Sequence, residues 1–88
     1  MNYLDIGYGN LVNMGRIISI LNTNSAPIKR MIAKARESDQ LFDTTGRRPS
    51  QAAVVTDNGN IYLSYLKPKS LVAKVTRNEQ IENNYANP

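Results

Sequence analysis

Of all the local signals in the chain, the dipeptide Asn58-Gly59 between two β-rich runs restricts the fold most. Asn-Gly favours the type I′ turn, whose two central residues both need positive φ and which joins antiparallel strands through a two-residue loop. A loop of that length pairs Asp57 with Asn60, Val55 with Tyr62 and Val54 with Leu63. Val54 and Leu63 then lie on one face, Val55 and Tyr62 on the other. A hairpin with one side in water alternates apolar and polar positions. This one is apolar on both sides, so its second face needs a helix or another subunit over it.

A helix is the next clear element. Ser25 is a good N-cap, and Pro27 is tolerated in the first turn because its missing N–H had no helical partner. Ile28, Met31, Ile32 and Ala35 follow at i, i+3, i+4 and i+7, one buried face. Upstream, Tyr3–Ile6 and Leu11-Val12 read as strand interrupted by Gly7-Tyr8-Gly9, a bend or bulge. Asn13-Met14-Gly15 turns into Arg16–Leu21, a β-branched run near the length of a buried strand. Leu41-Phe42-Asp43 forms a short strand and Thr44–Ser50 a loop. Pro68 opens a second helix with Leu71, Val72 and Val75 inward. The expected fold is a small α+β domain over residues 1–76: an antiparallel sheet of about four to five strands, one main packed helix and a C-terminal helix. Residues 77–88 are polar, without apolar period, and read as a flexible tail.

Composition narrows the function. With 88 residues the chain is one domain with a thin core, which makes oligomerisation an expectation. It has no cysteine, hence no disulfide and no thiolate zinc site, which fits a reducing compartment. It has no histidine, the commonest general base and metal ligand. The seven carboxylates are scattered singly, and the serines have no imidazole to activate them. Gly7-Tyr8-Gly9 begins like a dinucleotide fingerprint, but the third glycine is missing and no helix follows. No catalysis, cofactor or metal is expected. No apolar stretch approaches the roughly 18–20 residues of a membrane span, and the start, Met1-Asn2-Tyr3-Leu4-Asp5, lacks a charged n-region and apolar h-region, so the reading is soluble and cytoplasmic.

Charge points to a polyanion. Residues 1–77 hold eleven Lys and Arg against five Asp and Glu, a net +6. The helix carries Lys29, Arg30, Lys34 and Arg36 around its stripe, as an ordinary solvated face also would. Gly46-Arg47-Arg48 differs: two adjacent arginines sit in a loop bounded by glycine and proline, with only Asp43 nearby. The planar guanidinium donates two parallel hydrogen bonds and so suits phosphates and guanine edges. Arg16 is a lone charge at the mouth of an apolar strand, either a ligand contact or an arginine that simply starts an edge strand in water. By placement alone both readings of these three stay open.

In order and spacing, Ile6-Gly7-Tyr8-Gly9-Asn10-Leu11-Val12, Arg16-Ile17-Ile18-Ser19-Ile20 and Ser25-Ala26-Pro27-Ile28-Lys29-Arg30-Met31-Ile32 resemble the RemA family of small bacterial regulators of extracellular matrix genes. The likeness continues through Leu41-Phe42-Asp43 and the hairpin to Leu71-Val72. The resemblance implies a double-stranded DNA-binding activator of biofilm matrix operons, with a subunit similar to the LytTR type and assembly into ring-shaped homo-oligomers. The family's DNA-contacting arginine before its Ile-Ser-Ile strand matches Arg16, and its loop pair matches Arg47-Arg48. The sequence departs from the family pattern around this pair, with Pro49 or Gln51 near a position usually basic. Arg16, Arg47 and Arg48 are therefore the expected main contacts, with Lys29 and Arg30 outside them, in a cytoplasmic, nucleoid-associated protein. The alternative is a non-enzymatic basic assembly protein that binds RNA or an acidic protein.

Overall fold

The computed structural model describes residues 2–86, with side chains as far as Arg77. The chain runs β1 (Tyr3–Asp5), β2 (Leu11–Asn13), one turn of 3-10 helix (Met14–Arg16), β3 (Ile17–Asn22), α1 (Ala26–Glu37), β4 (Leu41–Asp43), β5 (Ala52–Thr56), β6 (Ile61–Ser64) and α2 (Pro68–Ala86). The polar tail expected over residues 77–88 falls largely outside the described side chains.

The α+β class holds, but the single antiparallel sheet does not. β3, β5, β6 and β4 form a four-stranded sheet in that order, and β4 runs parallel to β6. β3 and β4 are thus parallel edge strands, and α1 crosses one face of the sheet to connect them, as a parallel connection requires. β1 and β2 form a separate antiparallel ribbon with Leu4 opposite Val12. Gly7-Tyr8-Gly9 is therefore a full chain reversal and not a bend within one strand. Ile6 and Asn10 close it, the Ile6 N–H donating to the Asn10 carbonyl at 2.9 Å.

The hairpin exists, one residue out of the expected register. Val55 faces Ile61, Val54 faces Tyr62 and Ala53 faces Leu63. The reason is the turn. Gly59 takes positive φ (86°) while Asn58 does not, and the Gly59 N–H donates to the Thr56 carbonyl at 3.0 Å. This is a three-residue loop, a turn followed by a glycine bulge, the next most common hairpin connection after the two-residue turns. Asn58 is spent on side-chain bonds instead: its Oδ1 accepts from the Thr56 hydroxyl at 2.6 Å and the Asn60 N–H at 3.2 Å.

A one-residue slip exchanges the faces. Ala53, Val55, Ile61 and Leu63 meet α1 through Ile28, Met31, Ile32 and Ala35. Ala52, Val54 and Tyr62 meet Leu4, Ile6 and Val12 of the ribbon region together with Leu71 and Val75 of α2. Both faces are covered within one subunit, so the hairpin's apolar surface is no motive for oligomerisation. Buried Ser64 pins the ribbon to the sheet, its hydroxyl donating to the Ile6 carbonyl at 2.7 Å and accepting the Leu66 N–H at 3.0 Å. Of the stripe expected in the second helix, Leu71 is buried and Val72 is exposed.

Candidate nucleic-acid interface

β4 ends, and β5 begins, at the edge of the sheet where Ala52 pairs Asn22 and Ser64. The loop between them carries Arg47 and Arg48. Thr45 to Arg48 forms a tight turn in which the Arg48 N–H donates to the Thr45 carbonyl at 3.2 Å. Its two central residues, Gly46 and Arg47, both have positive φ, 61° and 78°. That is the type I′ signature expected at Asn58-Gly59 and found here. Only glycine enters this region freely, so holding Arg47 there costs on the order of 1–2 kcal/mol, and surrounding contacts must enforce it.

Those contacts come from both sides. Thr45 is buried, and its N–H and hydroxyl both donate to Asp43 Oδ1, at 2.9 and 2.6 Å. These bonds, with Arg36 nearby, hold the Asp43 carboxyl below its ordinary pKa. The one acid close in sequence thus shapes the loop and leaves the arginines unneutralised. On the other side stand two tyrosines. A Cβ at Gly46 would fall 2.7 Å from Tyr8 Cε2, so only glycine lets the loop lie against that ring. Tyr8 packs on Tyr65 with centroids 5.1 Å apart, and the Arg48 guanidinium lies 4.9 Å above the Tyr65 ring. Cation–π contact orients the guanidinium while leaving its N–H donors free. Arg47 and Arg48 are exposed, and among the described residues neither meets a carboxylate within ion-pairing distance.

Arg16 is not brought to this place. It ends the 3-10 turn before β3, where Ile17 pairs Thr56, at the hairpin end of the sheet. Its carbonyl accepts the Asp57 N–H at 2.8 Å, and its Nη1 lies 3.4 Å from Asp57 Oδ1 in an exposed ion pair. The length of β5, about 15 Å at the usual strand rise, separates it from the loop. Lys29 and Arg30 lie on α1, whose 100° steps aim Lys29 along the edge of the packed stripe and Arg30 away from the sheet. Lys29 shares a cleft with Pro49 and Ser50 of the arginine loop, and Arg36 lies in the same cleft. Sequence reading passed over Arg36 and the two tyrosines as parts of the site. For Arg36 the signal is there, since it follows Lys29 by two helical turns. For Tyr8 and Tyr65, far apart in sequence, there is none.

The family model described as RemA-like, extracellular matrix regulatory protein A-like, matches residues 3–75. The chain belongs to this family. Proteins named "Putative regulatory protein" from Bacillus cereus, Bacillus cytotoxicus and Bacillus anthracis are each 41% identical over 81 residues, 92% of this chain and 93% of theirs. Membership in the RemA-like family gives the chain a regulatory theme tied to extracellular matrix. The matched span includes every arginine discussed above, so the loop, its tyrosines and Arg16 all belong to the RemA-like part. Among the described residues no helix is long and apolar enough to cross a membrane, and no group of His, Cys, Asp and Glu gathers that could hold a metal.

Proposed function

We propose that this RemA-like protein is a non-enzymatic, cytoplasmic and nucleoid-associated regulator that binds double-stranded DNA and activates extracellular matrix and biofilm genes, its LytTR-like subunits forming a homo-oligomeric ring. The observation that carries the reading is the Arg47-Arg48 turn: a strained backbone, propped by Tyr65 and Asp43, that offers two guanidinium groups to solvent with no acid among the described residues within ion-pairing distance. A protein keeps such strain where the displayed group has work to do. Phosphate contacts supply most of the affinity, and base reading falls to the arginine forks. Arg16, a strand length away, contacts the duplex at a second point, with Lys29 and Arg30 outside the main contacts.

The oligomer rests on surface the subunit leaves uncovered. β3 is an edge strand with open backbone groups, and bulged Ile18 is 64% exposed beside Val72. Met14, Ile17, Ser19, Ile20 and Val75 complete that groove. Exposed edges of this kind template association. A ring repeats the arginines around its rim, and many weak contacts then add by multivalency.

Gel-shift titration of the full chain with duplex DNA, single-stranded DNA and RNA at several salt concentrations tests the reading. Duplex binding is expected to dominate and to fall with a log–log slope of about −0.9 per phosphate contact. A flat salt response, or equal affinity for RNA, transfers the site to an acidic protein or to RNA. Light scattering at micromolar concentration tests the ring, which a monomer that still binds tightly would overturn.

A further inference from the structure

The arginine loop borders a cleft of about 470 Å³ whose opposite wall is α1. The cleft is lined by buried Ile32 and Leu63, by polar Asn24 and Ser50, and by Lys29 and Arg36, which form its cationic wall. The helix imposes that wall: Lys29, Ile32 and Arg36 follow at i, i+3 and i+7 on one edge of the packed stripe. The two cations are thus displaced by about 10 Å along the helix axis. Both side chains are exposed, no Asp or Glu is among the described residues lining the cleft, and neither cation has an ion pair among the described residues. Asp43, whose charge Arg36 senses without forming an ion pair, gives its Oδ1 to the Thr45 N–H and hydroxyl.

We infer that this cleft seats the phosphodiester backbone of the duplex whose neighbouring segment meets Arg47 and Arg48, with Lys29 and Arg36 each neutralising one phosphate; this rests on the DNA-binding reading proposed above. Pro49 and Ser50 are continuous with the arginine turn, so the cleft prolongs the same basic surface onto α1. The contacts carry no sequence information and set the register of the subunit on the strand. Arg36 therefore outranks Arg30, which α1 aims away from the sheet.

Anisotropy titrations of the full chain with two unrelated duplexes across a salt series provide the test. Lys29→Gln and Arg36→Gln are each expected to weaken binding several-fold on both duplexes alike and to make the log–log slope shallower by about 0.9 per lost contact. Arg36→Lys is expected to keep the slope, Lys34→Gln, on the opposite flank of the packed stripe, to leave slope and affinity near the parent, and circular dichroism to show all four folded. Unchanged slopes in Lys29→Gln and Arg36→Gln, with binding still lost in an Arg47→Ala/Arg48→Ala chain, overturn the cleft alone and spare the DNA reading. Absence of duplex binding by the parent removes both. If millimolar inorganic phosphate raises Tm only when Lys29 and Arg36 are present, while duplex slopes ignore them, the cleft holds a small anion and the inference fails.

Discussion

At the hairpin end of the sheet Arg16 faces Asp57 at 3.4 Å; at the loop end Arg47 and Arg48 have no acidic partner among the described residues. The first arrangement is ordinary surface chemistry. An exposed pair of that kind contributes about 0–1 kcal/mol and is easily given up to a phosphate. The second departs from the ordinary: a non-glycine residue at φ 78°, a guanidinium laid on a tyrosine, and a nearby carboxylate hydrogen-bonded by Thr45. Arginine at one end is tethered and replaceable, and at the other it is displayed and expensive. On the DNA-binding reading proposed above, display at a cost in stability ranks the loop as the dominant contact and Arg16 as the auxiliary one.

Replacing both loop arginines gives the largest expected effect. Each charge-assisted hydrogen bond is worth about 1.5–3 kcal/mol, so Arg47→Ala with Arg48→Ala should weaken duplex binding on the order of 100-fold or more. Circular dichroism should show the fold intact, since Ala at φ 78° replaces one strained residue by another. Arg16→Ala is expected to cost less, about tenfold, because the parent side chain must first leave Asp57. Asp57→Asn then sharpens the contrast: freeing Arg16 should tighten duplex binding a few-fold at low salt and change nothing at high salt. Equal losses from both ends would erase the distinction between them.

Smaller effects concern what holds the loop. Gly46→Ala places a Cβ against Tyr8 and a side chain at φ 61°. The left-handed conformation costs alanine about 1 kcal/mol, which for a domain of this size lowers Tm by about 4–8 °C by calorimetry. Least of all is the acid limb. The Asp43 carboxyl sits below its ordinary pKa in the folded chain, first through the Thr45 hydroxyl and N–H and then through Arg36. Its charged form therefore favours the folded state above the unfolded pKa, and that contribution disappears as pH falls through the depressed folded value. Asp43→Asn should lower stability slightly near neutrality, and urea titrations from about pH 5 to about pH 3 should show it losing less than the parent.

Much of the fold is legible in the sequence. α1 starts at Ser25, whose side chain accepts the Ile28 N–H, and buries the stripe its spacing announced. β3, β4, the hairpin and the helix after Pro68 also lie where local preference puts them. These features depend on a few neighbouring residues, so the sequence carries them directly. The hairpin register did not follow, because Asn58-Gly59 supports two turns of similar cost. Packing chooses between them by which strand face finds α1 and which finds the ribbon. The parallel placement of β4 escaped as well, since three residues carry no mark of their partner.

The same division runs through the candidate site. Arg16, Arg47 and Arg48 stood out in sequence as charges in apolar or glycine-bounded settings, and family resemblance selected them. Their separation by the length of β5, the Arg48–Tyr65–Tyr8 stack and the shared cleft of Lys29 and Arg36 arise from contacts between residues far apart in the chain. The sequence by itself determined which residues are basic, which segments are helix or strand, and where glycine had to stand. Only the tertiary structure decided which arginines are free, because packing brings Asp57 across from the hairpin to Arg16 and, among the described residues, brings no acid within ion-pairing distance of Arg47 or Arg48. Local propensity acts over one turn of chain, whereas the pairing of charges is settled by the packing that brings distant segments together.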